Sequence, residues 1–297
     1  MQRFIRALLI AIGSLAVLIA VAVAVAWFAS SAVAAQRVAL PAPVLVDVNH
    51  ADLQRGRHFA EAVTACLDCH GAGLAGRKFI DNSAFGVLYA PNLTTGRGGV
   101  GGHYLDGDFE RAIRRGIRPD GTRLLIMPSV DFAGLSDDDV AAIIAFIRTA
   151  PAADNDTPPI ALGPVARMLL LTGKLQFDAD KITALTHREP AQPAPTAEYG
   201  GYLAKVAGCM GCHGANLQGG HYMGSPDDPP ATNITRDGIG TWSQDDFRKA
   251  LRTGIRPDGR PIAPFMPWRV YRGMTDDELA AVYAFLRAFP TQPANPK

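Results

Sequence analysis

Cys66-Leu67-Asp68-Cys69-His70 and Cys209-Met210-Gly211-Cys212-His213 together contain every cysteine of the chain. In a helix, residues i, i+3 and i+4 share a face, so each stretch brings two thiols and an imidazole onto one object. A haem fits that object. The thiols form thioethers to the two side groups of the macrocycle, and the histidine next in line reaches the iron from the proximal side. Three other uses of CxxC fit less well. A structural zinc site has to gather two distant pairs, and a thioredoxin-like pair needs alternating strands and helices that the flanking sequence lacks. A disulfide leaves the duplicated histidine without a purpose.

The motifs sit inside an internal repeat. Asn92-Leu93-Thr94 recurs as Asn233-Ile234-Thr235, and the hexapeptide from Gly116 to Gly121 recurs from Gly254 to Gly259 as the same GIRPDG. Met127-Pro128 recurs as Met266-Pro267, in the same order. Each half then starts a final helix, with Ser136 followed by Asp139 and with Thr275 followed by Glu278, the second pair making a capping box. Val140, Ile143, Ile144 and Ile147 hold the spacing of one buried helical stripe, as do Leu279, Val282, Tyr283 and Leu286. A shorter amphipathic helix, marked by Phe109 and Ile113 and again by Phe247 and Leu251, precedes each GIRPDG turn. Gly56 and Gly200 are placed to let the first helix of each half approach the last one closely, with Phe146 and Phe285 covering the contact.

Each half resembles a class I (mitochondrial-type) cytochrome c domain, and the pair resembles the membrane-anchored dihaem cytochromes of bacterial respiratory chains. The resemblance implies an all-α fold with two tandem domains, at residues 49–150 and 197–291, behind an N-terminal segment of residues 1–36 and joined by a Pro/Ala-rich linker of residues 151–196. It also implies two haem c groups, held by Cys66, Cys69 and His70 and by Cys209, Cys212 and His213. The methionine before the last helix then supplies the sixth iron ligand, which is Met127 in the first half and Met266 in the second. The proline after each keeps its loop extended and delays the helix. A soft thioether favours ferrous iron, so His/Met ligation raises the potential.

Met168, Met210 and Met274 are expected to fill core space. His58, His103, His187 and His221 have no counterparts at equivalent places and are expected at the surface or in hydrogen bonds. His221 and Met223 follow His213 too closely to wrap to the opposite haem face. Trp242 and its repeat partner Tyr104 suit a site near a haem propionate, as do Arg118 and Arg256 in the GIRPDG turns, with plain packing and solvation as the alternatives.

The chain begins with Arg3 and Arg6, and its apolar residues 7–28 rise about 33 Å as a helix, against a hydrocarbon core of about 30 Å. The small residues of 31–36 also suit a signal peptidase, so a retained anchor and a cleaved signal peptide both stay open. Length and the Trp27-Phe28 pair favour the anchor. Either way, the residues beyond Gln36 lie on the periplasmic side of the inner membrane. In the linker, residues 165–175 are apolar enough for a short helix, with Arg167 and Lys174 against its spanning a membrane; packing between the domains is expected, and a place against a partner or the bilayer surface stays open.

With 297 residues, 48% of them hydrophobic, and a net charge of +1, the chain has the length for two cores and no basic field for nucleic acid. Saturated iron suits electron transfer, and the resemblance implies redox proteins as partners: a periplasmic dehydrogenase as donor, and an oxidase or another cytochrome as acceptor. The alternatives are a dihaem peroxidase, a sulfur-compound dehydrogenase or a haem-based sensor. These need an open, displaceable or cysteine-ligated sixth position, and every cysteine is already used.

Overall fold

The computed structural model describes residues 2–183, 185–220 and 229–290. A long helix α1 (Gln2–Ala35) leads into two helical halves. The first has α2 (Leu53–His58), α3 (Cys66–His70), α4 (Asp106–Arg115), α5 (Ser129–Phe132) and α6 (Asp137–Arg148). Between α3 and α4 lie the antiparallel strands β1 (Arg77–Asn82) and β2 (Gly86–Ala90), and β3 (Ala161–Leu162) pairs with β2 to complete a small sheet. The linker adds α7 (Pro164–Leu171). The second half has α8 (Ala197–Val206), α9 (Cys209–His213), α10 (Arg236–Ile239), α11 (Gln244–Thr253), α12 (Trp268–Tyr271) and α13 (Asp276–Ala288).

The first and last helices of each half cross at a glycine. A Cβ on Gly56 would stand 1.9 Å from the Ala142 carbonyl oxygen, and one on Gly200 would stand 1.9 Å from that of Ala281. Only hydrogen fits there, so α2 beds onto α6 and α8 onto α13. Beyond α2 the helix widens into a π turn, Phe59–Val63, where the Thr64 amide donates to the Phe59 carbonyl at 2.8 Å. Val140, Ile143, Ile144 and Ile147 of α6 are buried, as are Leu279, Val282 and Leu286 of α13.

One apolar core runs through both halves, from Phe59 and Ile143 to Leu203 and Leu279. Polar contacts also cross between them. His58 Nε2 meets the Glu278 carboxylate at 2.7 and 2.9 Å. In the other direction Tyr202 donates its hydroxyl to Asp139, and the same oxygen accepts from the Ser136 amide at 3.2 Å.

Three expectations need correcting. Helix α7 packs not between the halves but against α1, with Ala166 and Leu170 buried beside Val33 and Ala34. Met168, on the opposite side of α7, is 58% exposed and fills no core; a short helix holding one element has only one face to bury. The prolines after the two methionines do not delay a helix. Pro128 and Pro267 occupy the N-cap positions of α5 and α12, which begin at once.

Candidate haem sites

Each CxxCH sequence forms a single helical turn, α3 or α9, entered through a left-handed residue, Ala65 or Gly208. The turn places both thiols and the imidazole on one side of the chain. None of the four cysteines is in a disulfide. Burial pushes every thiol up: Cys69 reaches about 11 with Asp68 adding to the effect, and Cys209 about 12 with Asp131 adding. Cys66 and Cys212 move the same way, Cys66 despite a 3.2 Å contact with the Thr64 hydroxyl. Such thiols are poor nucleophiles and poor redox cysteines. Among the described residues no group of three or more His, Cys, Asp or Glu side chains is placed to hold a metal ion.

The histidines are held alike. His70 Nδ1 donates to the Pro91 carbonyl at 2.9 Å, and His213 Nδ1 donates to the Thr232 carbonyl at 2.7 Å. A carbonyl only accepts, so Nδ1 carries the proton and Nε2 keeps its lone pair. Burial pushes both imidazoles down, so each is neutral, as an iron ligand has to be.

The accepting carbonyl is fixed by the Asn-x-Thr repeat. Asn92 Oδ1 accepts from the Thr94 amide at 2.9 Å, and Asn233 Oδ1 accepts from the Thr235 amide at 2.8 Å. These side-chain-closed turns follow directly after Pro91 and Thr232. A second brace comes from Gly76 and Gly219, whose amides donate to the His70 and His213 carbonyls, each at 2.8 Å. Both glycines have positive φ, and a Cβ on either would strike the chain beside its asparagine. Sequence reasoning found the Asn-x-Thr repeat but gave it no role; its recurrence at a matched distance from CxxCH was the available signal.

Met127 and Met266 are partly buried, and both pack against the shared core, as do Cys66 and Cys209. Each precedes a one-turn helix, and that helix belongs to the interface between the halves. Asp131 of α5 lies 3.1 Å from where a Cβ on Gly208 would stand, beside the second attachment turn. Just after α12, a Cβ on Gly273 would stand 2.9 Å from that of Ala62 in the first half, and Tyr271 of α12 is buried and donates within its own half to the Ala207 carbonyl at 2.6 Å.

Several of the remaining candidates make contacts within the protein. Arg118 donates to the Thr122 hydroxyl at 3.3 Å and the Arg123 carbonyl at 3.2 Å, inside its own turn. The Trp242 carbonyl accepts from the Tyr283 hydroxyl at 2.7 Å, and Tyr104 packs on Phe109. His187 bonds Asp137 at 2.6 Å, and His103 is exposed. Met274 is buried and Met210 packs on the core. His221 and Met223 lie outside the described residues.

Comparison with known proteins agrees with this duplication. The family model for cytochrome c matches residues 53–151 and again residues 197–289. The chain is 26% identical over 277 residues to the fructose dehydrogenase cytochrome subunit of Gluconobacter japonicus, covering 84% of this chain and 55% of that protein. It is 28% identical over 281 residues to the gluconate 2-dehydrogenase cytochrome c subunit of Pantoea cypripedii, covering 83% of this chain and 62% of that one. A diheme cytochrome c-type protein of Cereibacter sphaeroides is 25% identical over 250 residues, covering 76% of this chain and 82% of its own length. The chain thus spans little more than half the length of the two dehydrogenase subunits. Matched in both halves, each with its own attachment turn, the chain belongs to the cytochrome c family and carries two haem c groups.

Proposed function

We propose that this protein relays electrons on the periplasmic face of the inner membrane, from a dehydrogenase toward a respiratory acceptor. Cys66, Cys69 and His70 hold one haem with Met127 as sixth ligand, and Cys209, Cys212 and His213 hold the other with Met266. Bound in this way, each haem supplies one-electron Fe(III)/Fe(II) chemistry. The protein's part is to keep the ligands still. The observation that carries the reading is the duplicated imidazole brace, His70 on Pro91 and His213 on Thr232, which leaves Nε2 ready in both halves. A fixed, neutral imidazole and a methionine on a packed loop suit a site that changes charge without changing shape. The relatives named as cytochrome subunits of fructose and gluconate dehydrogenases support a dehydrogenase as donor.

The anchor is retained in this reading. The buried Arg123 donates to the Val33 carbonyl at 3.0 Å and to Gln36 Oε1 at 3.2 Å. Arg167 donates to Ser30 Oγ at 2.8 Å and Ser31 Oγ at 3.0 Å. Cleavage after Ala35 removes most of these acceptors and leaves Arg123 with Asp180 and Arg167 with the Leu162 carbonyl, so these contacts favour a segment that stays in place.

The test is a redox titration of the purified holoprotein, combined with carbon monoxide binding and the mass of the mature chain. Two low-spin haems that ignore carbon monoxide, on a chain that keeps α1, are expected. One haem that binds carbon monoxide in the native reduced protein would move the function to catalysis or sensing.

A further inference from the structure

Helix α7 has two apolar sides, and among the described residues only one is covered. Ala166 and Leu170 are buried against Val33, Ala34, Leu162 and Phe177. On the other side Val165, Met168 and Leu171 are 47%, 58% and 37% exposed. Their i, i+3, i+6 spacing makes one stripe. Between the two sides stands Arg167, whose guanidinium lies 3.6 Å from the centre of the Trp27 ring and donates to the Trp27 carbonyl at 3.2 Å.

The contact with Trp27 fixes the depth of α7. A hydrocarbon core of about 30 Å takes up about 20 residues of helix. Counted from Ala7, that crossing ends at Ala26, so Trp27 stands where the acyl chains give way to headgroups, the usual place for an interfacial aromatic. Arg167 is fastened to that level. The charge agrees with the place: α7 contains no acidic residue, and the exposed Lys174 follows it. The nearest acidic side chains are engaged elsewhere, Asp178 with the Val130 amide and Lys181, and Asp180 with Arg123.

We propose that α7 is a membrane-surface helix, with Val165, Met168 and Leu171 set into the lipid and Lys174 paired with lipid phosphates. This rests on the reading of α1 as a retained anchor. The chain then touches the bilayer twice, through a spanning helix and through one lying beside it. A single spanning helix leaves the haem domains free to tilt and swivel. Two contacts hold the first domain, joined to α7 through β3, at one orientation over the membrane.

The experiment uses the full-length holoprotein in vesicles of phosphatidylcholine and phosphatidylglycerol. Thioether formation consumes the native cysteines, so Leu18→Cys, Met168→Cys and Lys249→Cys each give one nitroxide-labelled site. Collision rates with oxygen, which concentrates in lipid, and with a water-soluble nickel chelate report depth. The expected oxygen-to-nickel ratio is severalfold higher at positions 18 and 168 than at 249. A lipid signal at 18 with a water signal at 168 overturns the proposal and leaves the anchor intact. Water signals at both overturn the anchor as well. A label at 168 shielded from both reagents means that protein covers the stripe, which also overturns the proposal.

Discussion

His58 and Tyr202 occupy equivalent places in the two halves, each two residues beyond the crossing glycine, and each reaches across to the acidic residue three positions past the N-cap of the other half's last helix. His58 meets Glu278, and Tyr202 meets Asp139. The interface therefore has an approximate two-fold relation, though the two side chains differ in chemistry. Glu278 also closes its own capping box, accepting from the Thr275 amide at 2.7 Å. Asp139 is held instead by Arg55, and the Tyr202 hydroxyl takes the Ser136 amide in its place.

The His58 contact has a defined pH window. Burial pushes the Glu278 carboxyl up, but hydrogen bonds from His58 and Thr275 outweigh it and hold the group below its ordinary 4.5. A carboxyl lowered by folding adds stability above its unfolded value and loses it as pH falls through the folded one. His58→Ala should therefore cost about 1–3 kcal/mol near neutral pH. Urea unfolding of the holoprotein, followed by haem absorbance, should show that loss shrinking as the pH drops below 4.5.

The glycine crossings admit no side chain. Gly56→Ala or Gly200→Ala puts a methyl group 1.9 Å from a carbonyl oxygen and should cost more than about 3 kcal/mol, at the upper end of overpacking. A haem-stained gel of cell extracts is expected to show little holoprotein for either variant. Gly102→Ala, where the nearest atom to a Cβ is 3.8 Å away, should accumulate normally.

Ligand variants separate the two haems. Cys66→Ala with Cys69→Ala should remove about half of the covalent haem, since attachment in the other half depends on Cys209 and Cys212. Met127→Ala should lower the potential of one haem and open it to carbon monoxide while the other is unchanged, and Met266→Ala should do the reverse. Unaltered spectra and potentials in both methionine variants would refute the axial assignment.

Asp131 links pH to the second haem. Burial and the neighbouring Asp178 raise its carboxyl to about 6, against the pull of Lys205 and Lys181. Above that pH its negative charge stands beside the second attachment turn and favours ferric iron. The second haem's potential should fall as pH rises through about 6. Asp131→Asn should keep it at the low-pH value throughout, as read by potentiometric titration on either side of that pH.

The parts legible in the sequence are those whose signals are local. The helical turn of each CxxCH, the capped last helices and the GIRPDG turns are legible, because caps and periodicity act within a few residues. Gly56 and Gly200 were also legible, through their recurrence. The braces on His70 and His213 were not, since a backbone carbonyl such as that of Pro91 has no signature in a side-chain pattern. Strands β1 and β2 were missed because β1 is largely exposed and shows no apolar alternation to mark it. Helix α7 was found, but its partner was misjudged: a stripe says that a face is covered, not by what. Arg114, wholly buried between Glu110 and Asp137, looks like any surface arginine until the fold surrounds it.

The π turn at Phe59–Val63 keeps a record of how the two halves diverged. Between the crossing glycine and the first attachment cysteine lie nine residues in the first half and eight in the second. Both ends of that interval are immovable, one pinned by a helix crossing and the other by a covalent bond to haem. An insertion there has no loop in which to hide, so it is absorbed by widening one turn of helix. In such a protein the two repeats are best matched from their anchored points outward, and the bulge between anchors marks the one residue by which they differ in length.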